Sequence, residues 1–110
     1  MERISFAEGV ELGDARLERV TVAPLTRTGS CRAAIFRFGA GGRIARHPAA
    51  APELLAVLDG SGVVSGGDGV EEPIGAGDAV VWDEGEEHET RSDGGLVALV
   101  LEGPDLAPAR

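Results

Sequence analysis

Four side chains are missing from this 110-residue chain altogether: it has no Tyr, no Lys, no Asn and no Gln. Without lysine there is no Schiff base, and without tyrosine no phenolic acid or radical. Without Asn and Gln no side-chain amide can build an oxyanion hole. All ten basic residues other than His are therefore Arg. A single cysteine, Cys31, excludes an internal disulfide and any CxxC redox or zinc motif. Long apolar runs are lacking too: the longest, Leu96 to Leu101, has six residues, against the roughly 20 a spanning helix needs. The opening MERISFAEGVE has no basic-then-apolar order of a secretory signal, so the expectation is a cytoplasmic protein. Positive charge is also scarce. With 19 acidic residues the net charge is −9, which argues against nucleic acid or an anionic membrane as partner.

The residues left for acid–base or metal chemistry are His, Asp, Glu, Ser, Thr, Cys31 and Arg. Only two histidines occur, His47 and His88. Glu53 opens the apolar run Leu54-Leu55-Ala56-Val57-Leu58, and a carboxylate beside five aliphatic residues is costly to bury unless it is paired or coordinated. Two imidazoles and one carboxylate meeting at a point would form a three-ligand metal site with open positions, the catalytic type.

The remainder of the pattern is that of short strands. Leu17 to Val22 alternates and stops at Pro24, and Cys31 to Phe38 follows a Thr28-Gly29-Ser30 turn. In that second strand Ala34, Phe36 and Phe38 point one way and Arg37 the other. Gly39 to Gly42 reads as a turn, Arg43 to His47 as a short strand, and Glu53 to Asp59 as a buried strand ended by Gly60 and Gly62. Val63 to Ser65 leads into a Gly66–Gly69 hairpin, from which Val70 to Ile74 returns. A turn at Gly75 to Asp78 precedes the strand Ala79 to Trp82. An acidic turn, Asp83 to Glu87, precedes closing strands at His88 to Arg91 and Gly95 to Leu101. Residues 1–16 are loosely alternating, an edge strand or an arm that pairs with a partner subunit, and 102–110 form a tail. No stretch keeps a helical period. Short strands with glycine-rich turns indicate an all-β sandwich or small barrel in one domain.

Read together, the two histidine stretches resemble the cupin family. Gly41, His47, Glu53 and Gly60 match the first cupin motif, and Gly77, Gly85 and His88 match the second. Asp83 stands where the second motif has Pro, and Ser92 where it has Asn. The resemblance implies a small antiparallel β-barrel, a double-stranded jelly roll of RmlC-like type, spanning 1–110 with core motifs in 41–92. It also implies a homodimer. The first motif carries a second histidine where this chain has Ala49, so three of its four ligand positions remain: His47, Glu53 and His88. The set suits a divalent ion such as Fe, Mn, Zn or Ni, with the same residues catalytic. The function implied is a metal-binding monocupin acting on a small organic molecule, by oxygenase, isomerase, cyclase or lyase chemistry. The alternatives are a non-catalytic sensor or binding cupin with a degenerate site, and a purely structural subunit.

Other residues read more plainly. Arg43 shares the face of His47 if the strand is regular, and Arg46 points away; either could clamp a substrate carboxylate, but exposed surface charge is the simpler reading. Glu84, Glu86, Glu87 and Glu89 read as a solvated turn. Thr90 falls on the face of His88 as a supporting hydroxyl. Trp82, Phe36 and Phe38 read as barrel core, and Cys31 as a small buried hydrophobe.

Overall fold

The computed structural model describes residues 1–27 and 29–109. Its strands are β1 (Leu17–Pro24), β2 (Arg32–Pro48), β3 (Glu53–Ser65), β4 (Glu71–Gly75), β5 (Ala79–Trp82), β6 (Glu87–Ser92) and β7 (Leu96–Glu102). Every pairing is antiparallel, and there is no helix among the described residues; none, accordingly, is long and apolar enough to cross a membrane. Of the expected Thr28-Gly29-Ser30 turn, Thr28 lies outside the described residues, as does Arg110 of the expected tail.

Two long strands close the sheet into a barrel. The first half of β2, Arg32 to Phe38, pairs with β7, and its second half, Gly42 to Pro48, pairs with β6. Likewise β3 pairs with β5 and β7 up to Gly60, then with β4 and β6 from Ser61. Each strand therefore turns a corner from one sheet to the other, and the corners are the glycine clusters. Gly39–Gly42 and Gly60–Gly62, expected to end strands, instead bend them. At Gly60 φ is 79°, and a Cβ there would lie 2.3 Å from the Gly95 carbonyl oxygen, so only glycine fits without moving backbone. Opposite the β2 corner, β1 is irregular between Glu18 and Val20, with Arg19 at φ 54°.

Inward-facing Val20, Phe38, Leu55, Val57, Val64, Trp82, Leu96, Ala98 and Val100 form the buried core. Leu55 is 1% exposed; burying such a side chain contributes about 1.5–3 kcal/mol. Phe36 packs against this cluster, and Arg37 lies with its guanidinium beside the Phe6 ring of the N-terminal arm. The arm has one isolated bridge, Val10 to Val22. Beyond it, Asp14 and Arg16 are fixed to the barrel, because Ala45 N–H donates to the Arg16 carbonyl at 2.7 Å.

Candidate functional site

At one end of the barrel a cavity of about 520 Å³ opens between the two sheets, and His47, Glu53, His88 and Thr90 all line it. Its other walls are largely apolar, with Leu17, Phe36, Ile44, Leu55 and Val100 among them. His47 arrives near the end of β2, Glu53 starts β3, and His88 is the second residue of β6. His47 and His88 are direct cross-strand partners, with ring centroids 4.3 Å apart. On its other side the His88 ring lies against Trp82, centroids 4.4 Å apart. Trp82, 2% exposed, is thus a core residue that backs the His88 ring.

Both imidazoles are held by their Nδ1 atoms. His47 Nδ1 lies 2.8 Å from the Ala45 carbonyl oxygen, and His88 Nδ1 lies 3.0 Å from that of Glu86. A carbonyl only accepts, so each Nδ1 carries the proton and each Nε2 is the open nitrogen. This is how outer groups fix the tautomer of a metal-binding histidine. His88 Nε2 faces Glu53 Oε2 at 3.3 Å, with side-chain exposures of 3% and 13%. A neutral Nε2 and an ionised carboxylate are both acceptors, so a cation or a proton has to lie between them. Without an ion the contact favours the protonated ring. Burial pulls the His88 pKa down, but the hydrogen bond and charge of Glu53, aided by Glu86, leave it raised above its ordinary value.

Glu53 has an acid for a neighbour. Arg32, Glu102, Glu53 and Trp82 are successive partners across β2, β7, β3 and β5. Arg32 forms an ion pair with Glu102, which leaves Glu53 to His88. Among the described residues no three His, Cys, Asp or Glu side chains already enclose a common point that could hold an ion. Glu53 touches His88, while His47 joins through ring contact. The donor types nevertheless fit a divalent cation, since two oriented imidazoles and a carboxylate open onto one cavity; Glu53 or His47 has to move for all three to bind together.

Several sequence expectations need correcting here. Ile44 pairs with Thr90 but His47 with His88, so β2 carries one extra residue between them. This bulge breaks the strand parity: His47 shares the cavity face with Ile44, and Arg43 does not. Arg43 is exposed, and Arg46 donates to the Gly66 carbonyl at 2.9 Å, bracing the β3–β4 hairpin. Among the described residues, the arginines that reach the cavity are Arg16 and Arg32, which no spacing in the sequence singles out. Ala49 is buried, bonded through its backbone to Gly85 and Glu86, and is not part of the cavity wall. Glu84 and Glu87 are exposed, but Glu86 is structural. Its carboxylate accepts from Gly67 N–H and Asp83 N–H, both at 2.9 Å, and its carbonyl also accepts from Ala49 N–H. Ser92 is structural as well, its hydroxyl donating to the Ser61 carbonyl at 2.6 Å. Thr90 is buried on the His88 face. Cys31 is exposed rather than buried, because β2 begins one residue after it.

Known proteins share this architecture. The fold of the polyketide cyclase RemF from Streptomyces resistomycificus superimposes with a TM-score of 0.82 over 100% of this chain and 84% of that one, at 20% identity. An RmlC-like cupin from Shewanella frigidimarina gives 0.77 over 94% and 92%, at 22% identity. A protein from Thermotoga maritima described as a predicted oxalate decarboxylase gives 0.70 over 76% and 79%, at 26% identity. No curated protein matches the sequence. The profile of the family described as Cupin domain matches residues 34–102, from the middle of the first β2 segment to the end of β7, and on that match this chain belongs to the cupin family.

Proposed function

We propose that this cupin binds a divalent metal ion through His47, Glu53 and His88 and acts on a small organic molecule held in the barrel. The observation that carries the reading is the fixed tautomer of both histidines, which turns two Nε2 atoms and the Glu53 carboxylate toward one cavity. An ion bound there supplies a Lewis acid that polarises a carbonyl or enol oxygen, or acidifies a water. The chain itself supplies the rest. Apolar walls exclude water and strengthen every charge interaction inside. The Ala45 and Glu86 carbonyls hold both rings at Nδ1, leaving each Nε2 free for the ion. Oxygenase, isomerase, cyclase and lyase chemistry all fit such a site, and the cyclase and decarboxylase descriptions of two structural relatives are in keeping with an enzyme.

Stoichiometric metal in protein purified without chelator, and its loss in Glu53→Ala, is the expected result. Metal-free protein whose melting temperature ignores both EDTA and added Fe, Mn, Zn or Ni would overturn the metal assignment. A second reading rests on the 3.3 Å contact itself: the His88–Glu53 pair working as a metal-free acid and base. It is distinguished by turnover that survives chelation. A non-catalytic sensor would bind ion and ligand without turnover.

The proposed setting is a cytoplasmic homodimer without nucleic-acid or membrane partners. The acidic net charge supports the last point. The dimer is supported by exposed Ile4, Phe6, Val10 and Leu12 along the arm, and light scattering of the purified chain tests it.

A further inference from the structure

Resting on the proposal that the barrel holds a small organic molecule, we infer the chemical class of that molecule: an apolar body bearing one carboxylate, with the carboxylate bound at the mouth by Arg16 and Arg32. These two are the arginines that line the cavity, and they come from unrelated places, one from the segment before β1 and one from the first residue of β2. Each is steadied by an acid. Arg16 donates to Asp14 through Nε and Nη2, and that contact holds the Asp14 carboxyl at about 2. Arg32 is paired with Glu102 through Nη2, and the charge of Glu102 acts on Arg16 as well. A carboxylate of the protein thus already sits within the influence of both guanidiniums.

The clamp keeps spare capacity. A guanidinium carries five N–H donors. Among the described residues, Nη1 of Arg16, and Nε and Nη1 of Arg32, have no acceptor. Planar forks held in place with unused donors suit a carboxylate better than a neutral group. Past the rim the wall is mainly apolar, with Leu17, Phe36, Ile44, Leu55 and Val100, and its polar part is the cluster of His47, Glu53, His88 and Thr90.

Sheet geometry also sets a length. Arg32, Glu102 and Glu53 are consecutive cross-strand partners, so Arg32 and Glu53 stand two strand spacings apart, roughly 10 Å. A ligand with its carboxylate at Arg32 places one aromatic ring or a short alkyl chain between that anchor and the His88–Glu53 pair. Because the side chains of Arg16 and Arg32 are 51% and 65% exposed, solvent screens the clamp, and the preference it gives is modest.

The test compares 4-phenylbutanoate with 4-phenylbutanamide by calorimetry and by Trp82 fluorescence. The acid should bind about tenfold more tightly than the amide, and Arg32→Gln should abolish that difference while leaving the amide unchanged. Should Arg32→Gln fold poorly, Arg32→Lys and a rise from about 50 to about 500 mM salt serve instead, each weakening the acid alone. Equal affinities for acid and amide overturn the inference, as does no binding of either at about 10 mM. An acid preference indifferent to Arg32 and to salt would place the carboxylate elsewhere and also overturn it. Metal content measured on the same Arg32→Gln protein separates this result from the metal proposal, because the ion should remain.

Discussion

Replacing Glu53 by Gln keeps the shape of the side chain and removes the charge that faces His88. In chelator-treated wild type the raised His88 pKa means that its contribution to stability is fully present below the unfolded value near 6.5 and is lost as pH rises through the folded value. In Glu53→Gln burial becomes the dominant influence. The His88 pKa then falls below 6.5, and the sign reverses: stability is lost as pH drops through that range. A charge-assisted hydrogen bond contributes about 1.5–3 kcal/mol, and His88 and Glu53 are 3% and 13% exposed, so little is given back to solvent. Glu53→Gln should therefore cost about 2–3 kcal/mol at about pH 5.5 and clearly less at about pH 8.5, because the charged form of the ring loses population as pH rises. Urea unfolding at both pH values measures the difference. Trp82, the only tryptophan, lies against His88 and reports ring protonation through its fluorescence, with the midpoint lower in the variant. An equal penalty at both pH values, or a fluorescence titration that Glu53→Gln leaves in place, would refute the pairing.

Three further substitutions test the frame of the site. Gly60→Ala places a Cβ 2.3 Å from a backbone oxygen at φ 79° and should cost about 2–4 kcal/mol, read as a fall in Tm of at least about 8 °C. Leu55→Ala, at the cavity wall and 1% exposed, should cost about 2–5 kcal/mol by chemical denaturation. Ala49→His restores the missing motif histidine at a buried position outside the cavity wall. It should lower Tm through overpacking that costs about 1–3 kcal/mol, without tightening metal binding in a competition assay.

What the sequence makes legible depends on how local the cause is. Alternation in β1, the apolar runs of β5 and β7 and the Gly66–Gly69 hairpin are written in neighbouring residues, and these strands fall within a residue or two of their expected places. The pairing of His47 with His88 is a long-range fact, yet motif spacing pointed to both. Glycine clusters mislead, because the same residues serve a turn that ends a strand and a corner that bends one; only the partner strands distinguish Gly39–Gly42 from Gly66–Gly69. Arg43 is the exposed charge expected of it, but the face it would share with His47 in a regular strand is lost through a single extra residue in β2. Arg16 and Arg32 stay hidden for a different reason. Their place at the cavity mouth comes from how the arm and the start of β2 close over the barrel end, and no periodicity within either segment records that.

The central claim is that His47, Glu53 and His88 can gather on one ion. X-ray absorption of the protein loaded with one equivalent of zinc reads the coordination shell directly. Two imidazole nitrogens with carboxylate oxygen at about 2.0–2.1 Å, reduced to one imidazole in His47→Ala, is the expected spectrum. A shell of oxygen atoms alone, or one that His47→Ala and His88→Ala leave unchanged, would contradict it.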